Sequence, residues 1–220
     1  MSQDKNKLYI IIASALILVL VVALILFSGG KSKNANTSSV GNNNAATPAP
    51  LKIVSEEGNF DATIEANFEP VRKIEFGTSL KKIQKAEKKR PDTDDGSYQE
   101  AQDNSGYGYL TYGFKADTKN IPSFFGGNVT VSDPTANLVY VLKDKKLIEV
   151  RVSYGASSAA NYDAMVAANT KTYGKPNLTR SYSNGTKITY WRTKKVMLQL
   201  YSQIDQQNKF TVSAYLSKIN

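Results

Sequence analysis

Twenty consecutive residues, Leu8 to Phe27 (LYIIIASALILVLVVALILF), contain no charge, no proline and no glycine. At the helical rise of about 1.5 Å per residue such a run spans about 30 Å, the thickness of a bilayer's hydrocarbon core. A helix satisfies its own backbone polar groups, which lipid cannot do for it. The run therefore reads as a single transmembrane helix. Signal-peptide apolar regions are usually about 7–15 residues long, so the length favours an uncleaved signal anchor. Ser28 and Gly30 leave cleavage open as an alternative, and the absence of a Cys after the run excludes lipoprotein processing.

Residues 1–7 form a short polar tail, with Lys5 and Lys7 against the run and Lys31 and Lys33 beyond it. Counting the terminal amine, the N-terminal flank leads by about one positive charge, which favours N-in, C-out topology. Residues 28–50 are Asn, Ser, Thr, Gly and Ala with Val40 as the one large aliphatic, too little apolar surface to offset chain ordering. They read as a spacer that holds the rest of the chain outside a cell membrane.

Composition narrows the chemistry. The chain has 220 residues, net charge +9, and neither Cys nor His. Disulfides, thiolate nucleophiles, imidazole bases and ordinary zinc sites are excluded. No cofactor and no metal site is expected. The first fifty residues hold four bases and one acid, leaving a net of +6 to the remainder. That excess suits anionic partners, but it is too diluted by acids for nucleic acid.

Residues 51–220 alternate between periods. Phe60, Ala62 and Ile64 predict a strand, and Val71–Phe76 a second extended stretch. Gly77 breaks it, and Thr78 or Ser79 caps a helix over Leu80–Arg90 that ends at Pro91. Leu80 and Ile83 mark the inner side of that helix, while Lys81, Lys82, Lys85, Lys88 and Lys89 fall on the other. Residues 91–106 read as a polar loop; their Asp92-Thr93-Asp94-Asp95-Gly96 lacks the EF-hand glycine, since Ser97 stands at its sixth position. Strands follow at Tyr107–Lys115, Asn137–Lys143 and Leu147–Tyr154, the last two joined by a turn at Asp144-Lys145-Lys146.

The pattern then recurs. A second helix runs over about 158–173 and stops at Gly174. Ile188–Trp191 matches Leu110–Gly113, Val196–Tyr201 answers Leu138–Leu142, and Phe210–Leu216 repeats Ile148–Tyr154. The expected fold class is α+β: two tandem α-β-β-β repeats, about 76–154 and 155–220, forming an antiparallel sheet with both helices on one face. The first repeat carries an insertion, Ala116–Ala136, in which Phe124 and Phe125 either present an aromatic contact or fold back onto the domain.

Phe76-Gly77-Thr78-Ser79-Leu80 leading into a helix, and Lys171-Thr172-Tyr173-Gly174-Lys175-Pro176 closing the next, resemble small exported bacterial modules of the β-lactamase-inhibitor-protein and BamE-like kind. The resemblance spans residues 70–220 and implies helices on one face of an antiparallel sheet, and protein binding rather than catalysis. The lipidated cysteine of that family is absent here, and no family binding residue transfers.

The sequence thus points to a single-pass, membrane-anchored extracytoplasmic binding or scaffolding module, non-catalytic, whose partner is another envelope protein. Candidate contacts are Phe124, Phe125, Tyr107, Tyr109, Tyr190 and Trp191, because aromatic side chains bury much area at low entropic cost. One alternative is an anionic lipid or wall-polymer surface meeting Lys81, Lys85 and Lys88. Another is a cell-envelope hydrolase working through carboxylates such as Glu57, Glu65, Glu69, Asp92, Asp94 or Asp95. Ser79-Leu80-Lys81-Lys82 has the Ser-x-x-Lys spacing but no supporting partner.

Overall fold

The computed structural model describes residues 52–102, 105–114, 120–121, 125, 129–130, 136–204 and 210–219. The tail, the apolar run Leu8–Phe27, the spacer and Phe124 lie outside the described residues. Among the described residues no helix is long and apolar enough to cross a membrane. Ala49–Asn220 forms one compact unit, and it is α+β.

Nine strands make one antiparallel sheet: β1 (Ile53–Gly58), β2 (Ser97–Glu100), β3 (Tyr107–Gly113), β6 (Asn137–Lys143), β7 (Lys146–Ala156), β8 (Leu178–Tyr182), β9 (Lys187–Arg192), β10 (Val196–Ile204) and β11 (Phe210–Lys218). β4 (Asn120–Ile121) and β5 (Val129–Thr130) pair separately within the insertion. The helices are α1 (Leu80–Glu87) and α2 (Ala159–Tyr173). Across the sheet the order is β1-β8-β9-β10-β11-β7-β6-β3-β2. Each helix is thus followed by a four-strand meander, and the two meanders meet through their last strands, β7 and β11. Three strands per unit are expected from the sequence. The fourth in each, β2 and β8, is short, largely polar and the first strand after its helix.

Local chemistry accounts for the joints. Asp144 and Lys145 both adopt positive φ (50° and 60°), the backbone a tight hairpin turn requires between β6 and β7. Ser158 caps α2 by accepting from the Asn161 N–H at 3.2 Å. Gly174 ends α2 with φ of 89° while donating its N–H to the Thr170 carbonyl.

Directly opposed residues share a face of the sheet, so register identifies the core. Trp191, Leu198, Leu216, Val150, Tyr140 and Leu110 lie in one row across six strands. All six are at most 3 % exposed. Both helices bond to this face: Tyr140 Oη donates to Glu87 of α1 at 2.8 Å, and Tyr162 Oη of α2 lies 2.9 Å from Thr189 Oγ1.

Three expectations are corrected. Phe60–Ile64 is not a strand; Asn59 turns the chain by accepting from the Asp61 and Ala62 N–H groups, and the strand lies earlier, at β1. Val71–Phe76 is not extended, because Val71–Lys73 forms a 3-10 turn with Arg72 and Lys73 at positive φ. The polar loop at 91–106 contains β2, an edge strand whose mostly exposed residues carry no apolar alternation.

A buried ionic cluster pins α1 to this turn. Arg72 reaches Glu87 and Asp92, each at 2.7 Å, and Arg90 Nε lies 3.4 Å from Glu87. Arg90 also donates to the Arg72 carbonyl at 2.9 Å. Glu87, 1 % exposed, therefore has its charge and its lone pairs matched in place.

Candidate functional site

The expected aromatic contacts do not form one surface. Tyr190 and Trp191 are consecutive on β9 and therefore point to opposite faces. Trp191 is fully buried in the helix-side core, where its indole N–H donates to the Gly174 carbonyl at 2.9 Å. Tyr190 is 6 % exposed and meets the edge of the Phe60 ring at 5.3 Å. Phe125 is buried, and its carbonyl accepts from the Asn169 side chain of α2. Tyr107, 38 % exposed, and the half-buried Tyr109 remain accessible on β3. Five strand-to-strand steps separate β3 from β9, about 24 Å at the usual spacing. Tyr107 and Tyr109 are a small patch of their own, with Lys143 Nζ lying 4.7 Å from the Tyr107 ring centre.

The lysines of α1 stand where the helical period puts them. Lys81, Lys82, Lys85, Lys88 and Lys89 are all exposed, and Ile83 and Glu87 are the buried positions.

Two features are absent from the sequence reading. The first is the open edge of the sheet at β1. All six residues of β1 are exposed, including Ile53 at 44 % and Val54 at 61 %. Among the described residues β1 pairs only with β8. Asn59 N–H donates to the Asn177 carbonyl, which fixes the alternation: Glu57 and Ser55 bond inward to β8. The backbone N–H and C=O of Glu56 and Gly58 then point away from the sheet.

The second feature is a groove of about 410 Å³ beside that edge. Helix α2 packs over β10 and β11 and reaches β9 where Tyr162 meets Thr189, while beyond it Thr179 and Ser181 of β8 are half-buried and Ser55 and Glu57 of β1 are exposed. Register places Ser55, Ser181 and Lys187 in one row and Glu57, Thr179 and Thr189 in the next, all lining the groove. Its floor is a chain of hydroxyls: Tyr162 Oη is 2.9 Å from Thr189 Oγ1, which is 3.3 Å from Thr179 Oγ1. Burial pushes the Tyr162 hydroxyl up to about 12, so it stays a neutral donor and acceptor there. The rim is charged, with Lys187 3.9 Å from Asp163 of α2 and Glu57 on the strand side.

Comparison with protein-family models, curated proteins and solved structures found no match. The chemistry of the site must therefore be taken from its own residues. Among the described residues no three His, Cys, Asp or Glu side chains gather as a metal site. The groove offers neutral hydrogen-bonding groups flanked by charge, next to a strand edge with unused backbone donors and acceptors.

Proposed function

We propose that this chain is a non-catalytic protein-binding module, anchored N-in, C-out by Leu8–Phe27 and displayed on the outer side of a cell membrane, whose docking element is the outer edge of β1. The observation that carries this reading is that, among the described residues, β1 pairs on one side alone and is exposed along its whole length. An extended segment of another envelope protein would add to the sheet there as a tenth strand, taking its main-chain bonds from Glu56 and Gly58. Its helix-side residues would reach the groove at Glu57 and Asp163, and basic side chains suit both. We also read the two helix-plus-meander halves as tandem repeats, the arrangement that leaves β1 as an addition outside the repeat.

The hydrolase alternative would rest on Glu57 and Asp163, which line the same groove from strand and helix. Both are exposed, so they sit in no water-excluded site, and binding stands ahead of catalysis. The test is site-specific photocrosslinking from Val54 or Glu56 in the full chain in its native membrane. A discrete adduct is expected from these positions and not from the exposed turn residue Asn184. It should disappear in Glu56→Pro, which removes an outward N–H and leaves the β8 ladder intact. Equal labelling from the edge and from Asn184 would sink the reading.

A further inference from the structure

Helix α1 is built against its own stability on its outer side. Lys81, Lys85 and Lys88 lie within about 60° of one another opposite Ile83, with Lys82 and Lys89 on one flank. None of these five has an ion-pair partner among the described residues. The helix's one acid, Glu87, is turned inward to Arg72 and Tyr140 and cannot neutralise them. No acid stands in the first turn, where Lys81 and Lys82 oppose the helix dipole, and Ser79 supplies no side-chain cap. Lys81–Lys85 is a like-charged pair at the i,i+4 spacing where a merely solvated helix favours Glu with Lys, and Lys88 and Lys89 follow in the turn that closes the helix.

The fold enlarges this face with a second element. Leu80 N–H donates to the Lys145 carbonyl at 3.0 Å, and Ser79 bridges to Lys146. The β6–β7 turn therefore sets the exposed Lys145 and Lys146 against the N-terminal end of α1. Among the described residues the Lys145 side chain pairs with Glu100 alone, at 3.5 Å, both side chains being largely exposed. Seven lysines from two elements thus share one surface. The acids flanking these two elements are Glu75 before α1, Asp92, Asp94 and Asp95 after it and Asp144 in the turn, so the lysines outnumber them; Glu56, Glu57, Asp61, Glu65 and Glu69 fall in the segment before Val71.

We propose that this lysine face is a binding surface for anionic lipid headgroups of the membrane that carries the anchor. The inference rests on the anchoring reading of Leu8–Phe27, because that reading decides which polyanion the face meets first. Residues 28–51 join the run to the first described residue, and under the anchoring reading a flexible coil of that length would have a root-mean-square span of about 25–30 Å. At so short a leash the bilayer surface is present at high effective concentration, and each lysine adds attraction to an anionic surface. Docking by α1 would turn the lysines to the lipid.

The chain has no Cys, so Gln84→Cys places a single environment-sensitive fluorophore on the exposed side of α1. The labelled full chain is reconstituted into phosphatidylcholine vesicles with or without 30 % phosphatidylglycerol (about that fraction, enough for a strongly anionic surface). Emission should rise and shift to the blue only with the anionic lipid. The shift should vanish in about 0.5 M salt, where screening is tight. Lys81→Gln/Lys85→Gln/Lys88→Gln should shift the docked-to-free ratio down by on the order of 10²-fold, with an unchanged thermal transition showing that the fold persists. Identical emission in both vesicles would overturn the proposal. So would a response to soluble polyphosphate in neutral vesicles that exceeds the response to anionic lipid, since the ligand would then be a free polymer. Flotation with neutral vesicles reports the anchor alone; a chain that fails to float there yet responds to anionic vesicles would refute the anchor and leave the lysine face standing.

Discussion

Glu87 shows how a single buried carboxylate organises its surroundings. It ties α1 to the Arg72 turn and to Tyr140 in the middle of the sheet. Glu87→Gln removes the negative charge facing Arg72, whose side chain is 2 % exposed. Asp92, 2.7 Å from the same guanidinium, keeps part of its compensation, so the loss should be about 3 kcal/mol, the low end for breaking a buried pair. Tyr140→Phe deletes one hydrogen bond and keeps the ring, for a loss of about 1–2 kcal/mol. Urea denaturation of the two variants should rank them in that order. A second contrast separates core from surface. Trp191→Ala should destabilise by about 3–5 kcal/mol, whereas Tyr107→Ala, at the exposed start of β3 on the face away from the helices, should stay within about 0.5 kcal/mol. The alternation along Ile188–Trp191 was visible in the sequence, but which face the helices cover was not. For that reason Tyr190 and Trp191 read as one aromatic patch although they lie on opposite sides of β9.

At the scale of elements, α1 offers a trade between stability and binding. Lys81→Glu and Lys82→Glu would complement the helix dipole and should each raise stability by about 0.3–1 kcal/mol. Under the lipid proposal the same changes abolish the response to anionic vesicles, so the denaturation midpoint and the fluorophore signal should move in opposite senses. Much at this scale was legible. β3, β6, β7, β9, β10 and β11 announce themselves because one face of each is apolar and packed under a helix. α2 is bracketed by Ser158 and Gly174, and the lysine stripe follows from the helical period alone. β2 (Ser97–Glu100) and β8 (Leu178–Tyr182) escaped because short polar strands have no alternation to display. β1 was hidden for a different reason. Its edge status depends on Ile53 pairing with Tyr182, a contact across more than half the sequence, and no local pattern encodes it. The groove inherits the same blindness, since it exists only where α2 stops covering the sheet.

For the whole molecule, the absence of histidine and the wealth of buried tyrosine shape the response to pH. Burial pushes Tyr112 and Tyr162 up to about 12, from an ordinary value of about 10. Tyr140, Tyr190 and Tyr215 are driven up as well, by burial first. A raised folded value means that the unfolded chain loses these protons first as pH rises. The stability tied to the neutral phenols is therefore complete below about pH 10 and lost through about pH 10–12. Denaturation midpoints should be nearly flat from pH 6 to 8, with no histidine to titrate, and fall steeply in the alkaline window. Tyr162→Phe should make that fall shallower, since it removes one of the titrating groups.

The junction of β7 with β11 carries a consequence for how the chain comes into being. β11 follows every other strand in sequence, yet it lies fifth across the sheet, bonded to β10 on one side and β7 on the other. A chain that emerges from a translocation channel one end first exposes β7's free edge while some fifty residues are still being threaded. Only the arrival of Phe210–Lys218 closes that edge and joins the halves into one sheet. Until then the unit is two half-sheets with an adhesive seam, open to chaperones and to other chains alike, and under the anchored, outward-facing proposal export rate would become a determinant of yield.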